Sequence, residues 1–355
     1  MRAHFRVFAL SRPALRCLSA LALCAGLAGC AQPGGGYLVK EVGSFHVGGR
    51  QVSLSGLAER EISFSAGMPP IKVNPNGDFE VEQMYAQYVK LVDPKAKYPL
   101  LLVHGGGLAG ITWETKPDGG PGWQQFFLKA GHDVYVSDAV ERGRASWARY
   151  PEIFKTEPMF RTKKEAWELF RIGDTGSYDT DPAQRRAIAG TQFPLAAFDQ
   201  FAKQGIPRWA SNDGATQLAY DAYVQKVCPC VIITHSQGGN FGFNMALHAP
   251  DKVKALISVE PSGSPDTNTD LKALKGVPML FVWGDYHQRY AFWQGVRGRL
   301  DKFRQAALAQ GGVVDEIDLP KTGIHGNSHM LMMDRNSDQV AQLAQDWIAR
   351  QGLMK

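Results

Sequence analysis

The sequence predicts an α/β fold built on a mostly parallel, doubly wound sheet. Short apolar runs of strand length, such as residues 99–103 and 231–234, recur along the chain and are separated by stretches of helical length. Residues 231–234 are four consecutive β-branched residues, a pattern typical of a parallel strand covered on both faces. Strands that alternate with helices imply parallel strands joined by helical crossovers.

The elements follow one another along the chain in a regular order. Residues 37–90 are expected to form strands, with a hairpin turn at Gly48-Gly49 and a second turn at residues 74–77. Further strands are predicted at residues 79–92, 99–103, 132–138, 231–234, 253–259, 278–283 and 313–319. Helices are predicted at residues 122–130, 213–227, 240–248 and 339–350.

Residues 144–212 interrupt this alternation. The segment is rich in aromatic residues, which include Trp147, Tyr150, Phe154, Phe160, Trp167, Phe170, Phe193, Phe198, Phe201 and Trp209. We expect it to form a helical cap inserted over the sheet, within one large domain at residues 37–355. The rings are expected either to line an apolar pocket or to form the core of the cap itself.

The first 29 residues have the pattern of a secretory signal. Four arginines lie before or at the edge of an apolar run at residues 18–27, which is too short to span a membrane as a mature anchor. Leu27-Ala-Gly-Cys30 resembles a bacterial lipobox, so cleavage before Cys30 and lipidation of its thiol are expected. Ala31 at the next position favours the outer membrane, facing the periplasm. Residues 30–36 would form a flexible tether.

A plain signal peptide cut near Ala31 is the alternative, and it would give a secreted protein. In either case the mature chain is nearly neutral, because the signal carries four arginines and no carboxylate and its removal lowers the formal charge from +5 to +1. This balance argues against nucleic acid as a partner. Cys228 and Cys230 can pair in an oxidising compartment, in a structural role.

Ser236 lies where a nucleophile is expected. It stands between the strand at residues 231–234 and the following helix, in His-Ser-Gln-Gly, which has the layout of a nucleophile elbow. The residues two before and two after the serine must be small because strand and helix cross closely there. Gly238 satisfies this requirement and Thr234 satisfies it less well.

A glycine-rich loop follows the strand at residues 99–103. His104-Gly-Gly-Gly107 matches the loop that supplies one donor of an oxyanion hole in lipases and esterases, and the second donor is the amide after the nucleophile. We therefore predict the amides of Gly106 and Gln237 as the two donors. The same stretch spells the dinucleotide pattern GxGxxG, but residues 111–117 do not have the helical pattern that this motif requires.

Two histidines follow the last predicted strand, where the chain order Ser, acid, His places a general base. His329 is the first choice and His325 is the runner-up. The two could also form a metal pair four residues apart, but Gly326 and Asn327 argue against a helix there. The sequence implies no metal and no cofactor.

These motifs together are similar to the atypical bacterial α/β-hydrolase esterases first described from Alcaligenes. The likeness rests on His-Ser-Gln-Gly-Gly, on residues 259–263 and 326–330, and on Thr112-Trp-Glu-Thr115 with Asp118-Gly119. It implies an α/β-hydrolase fold from about residue 37 onward, Glu260 as the catalytic acid and His329 as the base. Some relatives carry adjacent cysteines where this chain has Gly106 and Gly107.

Two carboxylates compete to orient His329. The resemblance implies Glu260, which directly follows the strand at residues 253–259, whereas the common α/β-hydrolase arrangement favours Asp285 after the later strand. Glutamate has one more methylene with which to reach the histidine from the nearer strand. Pro261 is expected to hold Glu260 in extended geometry. Asp285 could instead cap the helix that begins near Ala291.

The sequence thus predicts a serine-dependent carboxylic ester hydrolase that works through an acyl-enzyme on a small-molecule ester. It would be held at a membrane through Cys30. The alternatives are a non-catalytic lipoprotein that binds apolar ligands in a capped pocket and a dinucleotide-binding protein. The physiological ester and the oligomeric state do not follow from the sequence.

Overall fold

The computed structural model describes residues 36–355, which contain ten strands and eight α-helices. The strands are β1 (Val39–Leu54), β2 (Arg60–Ile62), β3 (Ile71–Val73), β4 (Gly77–Leu91), β5 (Leu100–Val103), β6 (Val134–Asp138), β7 (Cys230–His235), β8 (Val253–Val259), β9 (Met279–Trp283) and β10 (Val314–Asp318). The helices are α1 (Ile111–Glu114), α2 (Trp123–Lys129), α3 (Lys163–Leu169), α4 (Phe198–Ala202), α5 (Asp213–Val227), α6 (Gly238–His248), α7 (Ala291–Ala309) and α8 (Ser337–Arg350).

Eight of the strands form one sheet in the order β1-β4-β6-β5-β7-β8-β9-β10, and β2 pairs with β3 in a separate ribbon. The strands from β6 to β10 along this order are parallel, whereas β4 pairs antiparallel with both β1 and β6. The predicted mostly parallel α/β sheet is therefore present. Because parallel strands run in one direction, the ends of β5, β7, β8 and β9 open onto a common edge.

Helices cover both faces of the sheet, which explains why β5, β6 and β7 are buried along their whole length. Helices α5, α6 and α7 contribute to the apolar core on one face, and α2 and α8 contribute to the core on the other face. The predicted parallel strands and the helices α2, α5, α6 and α8 lie within a few residues of their expected bounds.

The hairpin turn expected at Gly48-Gly49 is wrong. Strand β1 runs through both glycines and stays paired with β4 on either side of them. The two residues have φ of +72° and +90°, and a Cβ on Gly48 would lie 2.8 Å from the Cα of Ala219 in α5. The glycines thus serve a bend and a close helix approach within a long strand, not a chain reversal.

The expectation that residues 111–117 contain no helix also needs correction. Residues 111–114 form one turn of helix, α1. This turn starts at Gly110, where a Cβ would lie 2.8 Å from Asp138 Oδ1. The Gly110 amide donates a hydrogen bond to the same oxygen at 2.6 Å. A single turn held by a carboxylate differs from the long helix that opens at a dinucleotide fingerprint.

Residues 144–212 lie between β6 and α5, but only α3 and α4 are α-helical there. The remainder consists of 3₁₀ turns and irregular backbone. Of its eleven aromatic residues, seven are buried, Tyr178 is partly buried, and Trp147, Tyr150 and Phe160 are exposed. Phe198 makes ring contacts with Trp167, Phe193 and Phe201, and these rings are continuous with the apolar core on one face of the sheet.

The sulfur atoms of Cys228 and Cys230 are bonded, with 4.4 Å between their Cα atoms, at the start of β7. None of the helices in residues 36–355 is long and apolar enough to cross a bilayer. Cys30 and the predicted signal sequence lie outside the described residues.

Candidate active site

Ser236 lies at a sharp turn between β7 and α6. Its backbone φ is +53°, in the left-handed region that a serine rarely occupies, and its amide donates to the Val259 carbonyl at 3.0 Å. The side chain is partly exposed above the carboxyl edge of the sheet. A strained residue held in this way presents its hydroxyl outward.

The crossing of β7 and α6 explains the small residues around the serine. A Cβ on Gly238 would lie 2.6 Å from the His104 carbonyl oxygen, and one on Gly242 would lie 2.6 Å from Thr234 Cγ2. Thr234 therefore fits beneath the helix because residue 242 is a glycine. Its hydroxyl is satisfied by Ser258 at 3.1 Å.

His329 and Glu260 are in direct contact. His329 Nδ1 lies 2.9 Å from Glu260 Oε2, and both side chains are buried. Glu260 follows β8, whereas His329 lies in the long loop between β10 and α8. Because the carboxylate accepts a hydrogen bond from Nδ1–H, the proton of the neutral imidazole stays on Nδ1 and the lone pair is on Nε2.

Three further groups surround the Glu260 carboxylate. Arg171 Nη2 lies 2.7 Å from Oε2, His287 Nε2 lies 3.2 Å from Oε1, and the Gly284 amide donates to Oε1 at 2.5 Å. Burial opposes ionisation of Glu260, but the positive charge of Arg171 and the contacts from His287 and His329 outweigh it and hold its pKa well below the usual range. The carboxylate is therefore ionised.

Aromatic rings enclose the His329 imidazole. The ring centroids of Phe170 and Trp293 lie 5.5 Å and 4.3 Å from it, and that of His235 lies 4.6 Å away. Burial lowers the pKa of His329 well below 6.5, although the hydrogen bond that Nδ1 donates to Glu260 acts in the opposite direction. The imidazole is thus neutral at physiological pH and able to accept a proton.

His329 Nε2 makes no hydrogen bond to a described residue, and Ser236 Oγ bonds instead to Ser262 Oγ at 3.4 Å. The serine and the histidine are not joined by a hydrogen bond in this state. Such bonds are often long in free enzymes and tighten in the substrate complex. The lone pair of Nε2 is consequently available.

The glycine loop after β5 lies against the elbow. A Cβ on Gly105 would be 2.9 Å from Ser236 Cβ, so glycine is required there, whereas one on Gly106 would be 2.9 Å from Oε1 at the end of the flexible Gln237 side chain. The Gly106 and Gln237 amides donate no hydrogen bond to any described residue. Gln237 also stands at the N-terminus of α6, where the helix dipole favours negative charge.

His104 fixes the start of this loop. Its Nδ1 lies 2.8 Å from the Gly105 carbonyl oxygen, and its Nε2 accepts the Ala139 amide at 3.0 Å. Burial lowers the pKa of His104 to about 4, so the ring is neutral and its proton is on Nδ1. This histidine ties the glycine loop to the end of β6.

The two runner-up residues lie elsewhere. Asp285 accepts hydrogen bonds from the amides of Tyr286 at 2.7 Å and Gly326 at 3.0 Å, so it holds the histidine loop, and the alternative role of capping α7 is also not observed. His325 is exposed, and its Nδ1 lies 3.7 Å from Asp285 Oδ2. The structure brings neither of them to His329.

The extended geometry expected for Glu260 is wrong. Its φ is +51°, and Arg171 has a similar φ of +58°. The turn at the end of β8 directs the Glu260 carboxylate toward Gly284 and His329, and the buried ion pair with Arg171 accompanies this strained backbone. The preference that Pro261 imposes is overridden by these contacts.

The histidine loop is stabilised by Asp334. Its carboxylate accepts from the Ser328 amide and hydroxyl and from Asn327 Nδ2, all at 2.8–2.9 Å. Burial raises the pKa of Asp334 to about 7, although the hydrogen bonds from Ser328 and Asn327 oppose the shift. These bonds set the backbone that carries His329.

Sequence reasoning missed Arg171 and His287 as partners of Glu260. An arginine enclosed by Leu169, Phe170 and Ile172 is a signal that was present, because a buried guanidinium requires an anionic partner. Nothing in the sequence indicates which carboxylate that partner is. Within residues 36–355, no three His, Cys, Asp or Glu side chains are arranged to hold a metal ion.

Comparison with known proteins gives three findings. Residues 229–312 match a family model described as alpha/beta hydrolase fold. A solved structure of a bacterial esterase is 33% identical, with a TM-score of 0.76, over 91% of this chain and 99% of that chain. The probable secreted lipase phiG of Fungal sp. (strain ATCC 74256) is 26% identical over 340 residues, which are 78% of this chain and 88% of that protein.

Proposed function

The chain belongs to the α/β-hydrolase superfamily, and we propose that it is a serine-dependent carboxylic ester hydrolase that works through an acyl-enzyme. Its relatives are named as an esterase and a lipase, which supports a carboxylesterase or lipase-like enzyme. The observation that carries the serine mechanism is the buried pair of His329 and Glu260 beside the strained Ser236. In this arrangement the imidazole is neutral and oriented, and its Nε2 is unpaired.

The proposed reaction begins when the Ser236 hydroxyl turns from Ser262 toward His329 and attacks the carbonyl carbon of the ester. His329 Nε2 takes the hydroxyl proton, and Glu260 stabilises the imidazolium that forms. The oxyanion accepts hydrogen bonds from the amides of Gly106 and Gln237, and each of these bonds lowers the activation barrier by about 3 kcal/mol. His329 then donates the proton to the leaving alcohol, and in deacylation it activates a water molecule in the same way.

Labelling with a fluorophosphonate tests this proposal. We expect Ser236 to be modified and Ser236→Ala to lose ester turnover by about 10⁴- to 10⁶-fold. Ser262→Ala is the matched control, since it removes the neighbouring hydroxyl and leaves a nucleophile in place. Absence of labelling together with unchanged turnover by Ser236→Ala would refute the serine mechanism and favour a non-catalytic ligand-binding protein.

We further propose that the enzyme is exported and lipid-anchored through Cys30 at the outer membrane. The lipobox-like residues 27–30 support this placement, and the secreted lipase relative supports export. Cys30→Ala is expected to yield uncleaved or mislocalised protein. Normal processing and unchanged fractionation with membranes would show that residues 1–29 act as a plain signal peptide.

A further inference from the structure

Three cavities of about 30, 440 and 380 Å³ lie near the glycine loop, and the first and third of them reach it. Gly107 lines the first and third, and Ile206 lines the second and third, so they adjoin one another. Their charged lining is strongly unbalanced. The lining contains one acidic residue, Glu165, and five basic residues. The basic residues are Lys116, Arg161, Lys163, Lys203 and Arg208.

Of these five basic residues, Arg161 and Arg208 approach the glycine loop. A Cβ on Gly107 would lie 3.6 Å from Arg161 Nε, and one on Gly106 would lie 3.4 Å from Arg208 Nη1. Arg161 lines two of the cavities, and its guanidinium is 5.1 Å from the centroid of Phe170, the ring that stacks on His329. Both guanidinium groups are therefore next to the reacting centre without being part of the triad.

Each guanidinium has donors to spare. Arg161 Nη1 pairs with Glu165 at 2.8 Å, and Arg208 Nη2 pairs with the two oxygens of Asp213 at 3.1 and 3.2 Å. The Nε atoms of both arginines are buried and make no hydrogen bond to any described residue. A guanidinium offers five N–H donors, so one carboxylate partner leaves several unused.

The two positive charges also act on each other. Burial lowers the pKa of Arg161, and the neighbouring charge of Arg208 lowers it further, against the effect of Glu165. Glu165 is half exposed and lies one helical turn away on α3, where such a pair contributes little. An anion placed between the two guanidinium groups would relieve this repulsion and satisfy the unused donors.

We propose that Arg161 and Arg208 form an anion subsite beside the oxyanion loop, and that the preferred substrates are esters carrying a second, anionic group. The anion is a carboxylate or a phosphate, because guanidinium groups recognise both through paired N–H donors. The choice of ester rests on the proposed function, whereas anion binding itself does not. The subsite would select substrates without changing the chemistry at Ser236.

Matched esters test the substrate class. Monomethyl glutarate carries a free carboxylate and dimethyl glutarate does not, so the ratio of their kcat/KM values isolates recognition of the anion. We expect the protein to prefer the monoester, and we expect Arg161→Gln and Arg208→Gln each to lower that ratio by about 10- to 100-fold. Arg149→Gln is the control, since Arg149 lies in the same segment, pairs with Glu152 at 2.8 Å and lines none of the three cavities.

Anion binding is measured separately by titration calorimetry of glutarate and of inorganic phosphate against Ser236→Ala, which does not depend on turnover. Binding of either anion that is weakened by Arg161→Gln or Arg208→Gln supports the subsite, and the anion that binds identifies its chemistry. The subsite would be refuted if the arginine variants keep the kcat/KM ratio of the unmodified protein and if neither anion binds in a way that depends on Arg161 or Arg208. Turnover of dimethyl glutarate by the unmodified protein reports on the ester hydrolase proposal alone.

Discussion

Among single residues, Glu260 and Asp285 are the two candidates for the carboxylate that orients the proposed base, His329. Glu260 contacts His329 Nδ1 at 2.9 Å, whereas Asp285 is occupied by the amides of Tyr286 and Gly326. The longer side chain of glutamate reaches the imidazole from the strand next to β7. Arg171 and His287 then compensate for the burial of that carboxylate.

We therefore expect Glu260→Gln to lower kcat by on the order of 10⁴-fold, because the amide no longer fixes the tautomer of His329. Asp285→Asn keeps an oxygen acceptor for one backbone amide and is expected to retain most activity. Steady-state turnover of one ester by both variants makes the comparison. A nearly normal Glu260→Gln beside a crippled Asp285→Asn would assign the acid to Asp285.

The pH dependence follows from the environment of His329. The base acts when neutral, and burial lowers its pKa well below 6.5, so protonation switches activity off only at a correspondingly acidic pH. We expect kcat/KM to stay constant as the pH falls through 6.5 and to decline only at a pH well below 6.5. The profile is measured with circular dichroism at each pH as a check on folding. A decline centred at or above pH 6.5 in folded protein would contradict a neutral, desolvated base.

At the scale of elements, the crossing of β7 and α6 determines where Ser236 points. Gly242 lies against Thr234 Cγ2 and Leu256, so an added methyl must displace a buried strand residue. Gly298 in α7 is exposed, with nothing within 4 Å of a built Cβ. The two helical glycines therefore differ in packing and not in backbone conformation.

We expect Gly242→Ala to lower the free energy of unfolding by about 1–2 kcal/mol, since overpacking outweighs the gain in helix propensity. Gly298→Ala is expected to raise it by up to about 1 kcal/mol through propensity alone. Urea denaturation of both variants provides the measurement. Equal stabilisation by the two substitutions would show that the crossing is not tight.

Much of the sheet was predictable from the sequence because buried parallel strands are continuous apolar runs, as at residues 231–234 and 253–259. Gly48-Gly49 was not, since a glycine pair that permits positive φ serves a turn or a bend equally well. Ser236 and Glu260 each follow a parallel strand, so the chain order alone predicts that both lie at the carboxyl edge of the sheet. The approach of Arg171 depends on the irregular segment at residues 144–212, whose path no local pattern specifies.

In the molecule as a whole, the segment at residues 144–212 packs against the glycine loop and encloses a small cavity with it. The cavity of about 30 Å³ between it and the glycine loop is lined by Leu108, Phe170 and Phe201. A cavity needs roughly 10–15 Å³ to hold one water molecule, so this space admits only a group of two or three atoms. Phe170 also stacks on His329, so the cavity wall contacts the proposed base.

An acyl chain that enters this cavity must therefore be short. We expect kcat/KM for para-nitrophenyl esters to be highest between acetate and butyrate and to fall toward palmitate, because longer chains would have to displace the buried rings. Phe201→Ala removes one wall and should move the optimum to longer chains, while Phe160→Ala, which changes an exposed ring of the same segment, should not. Rates that rise toward palmitate, as for an enzyme of long-chain lipids, would mean that the segment opens when substrate binds. Rates independent of chain length would place the acyl group outside the cavity.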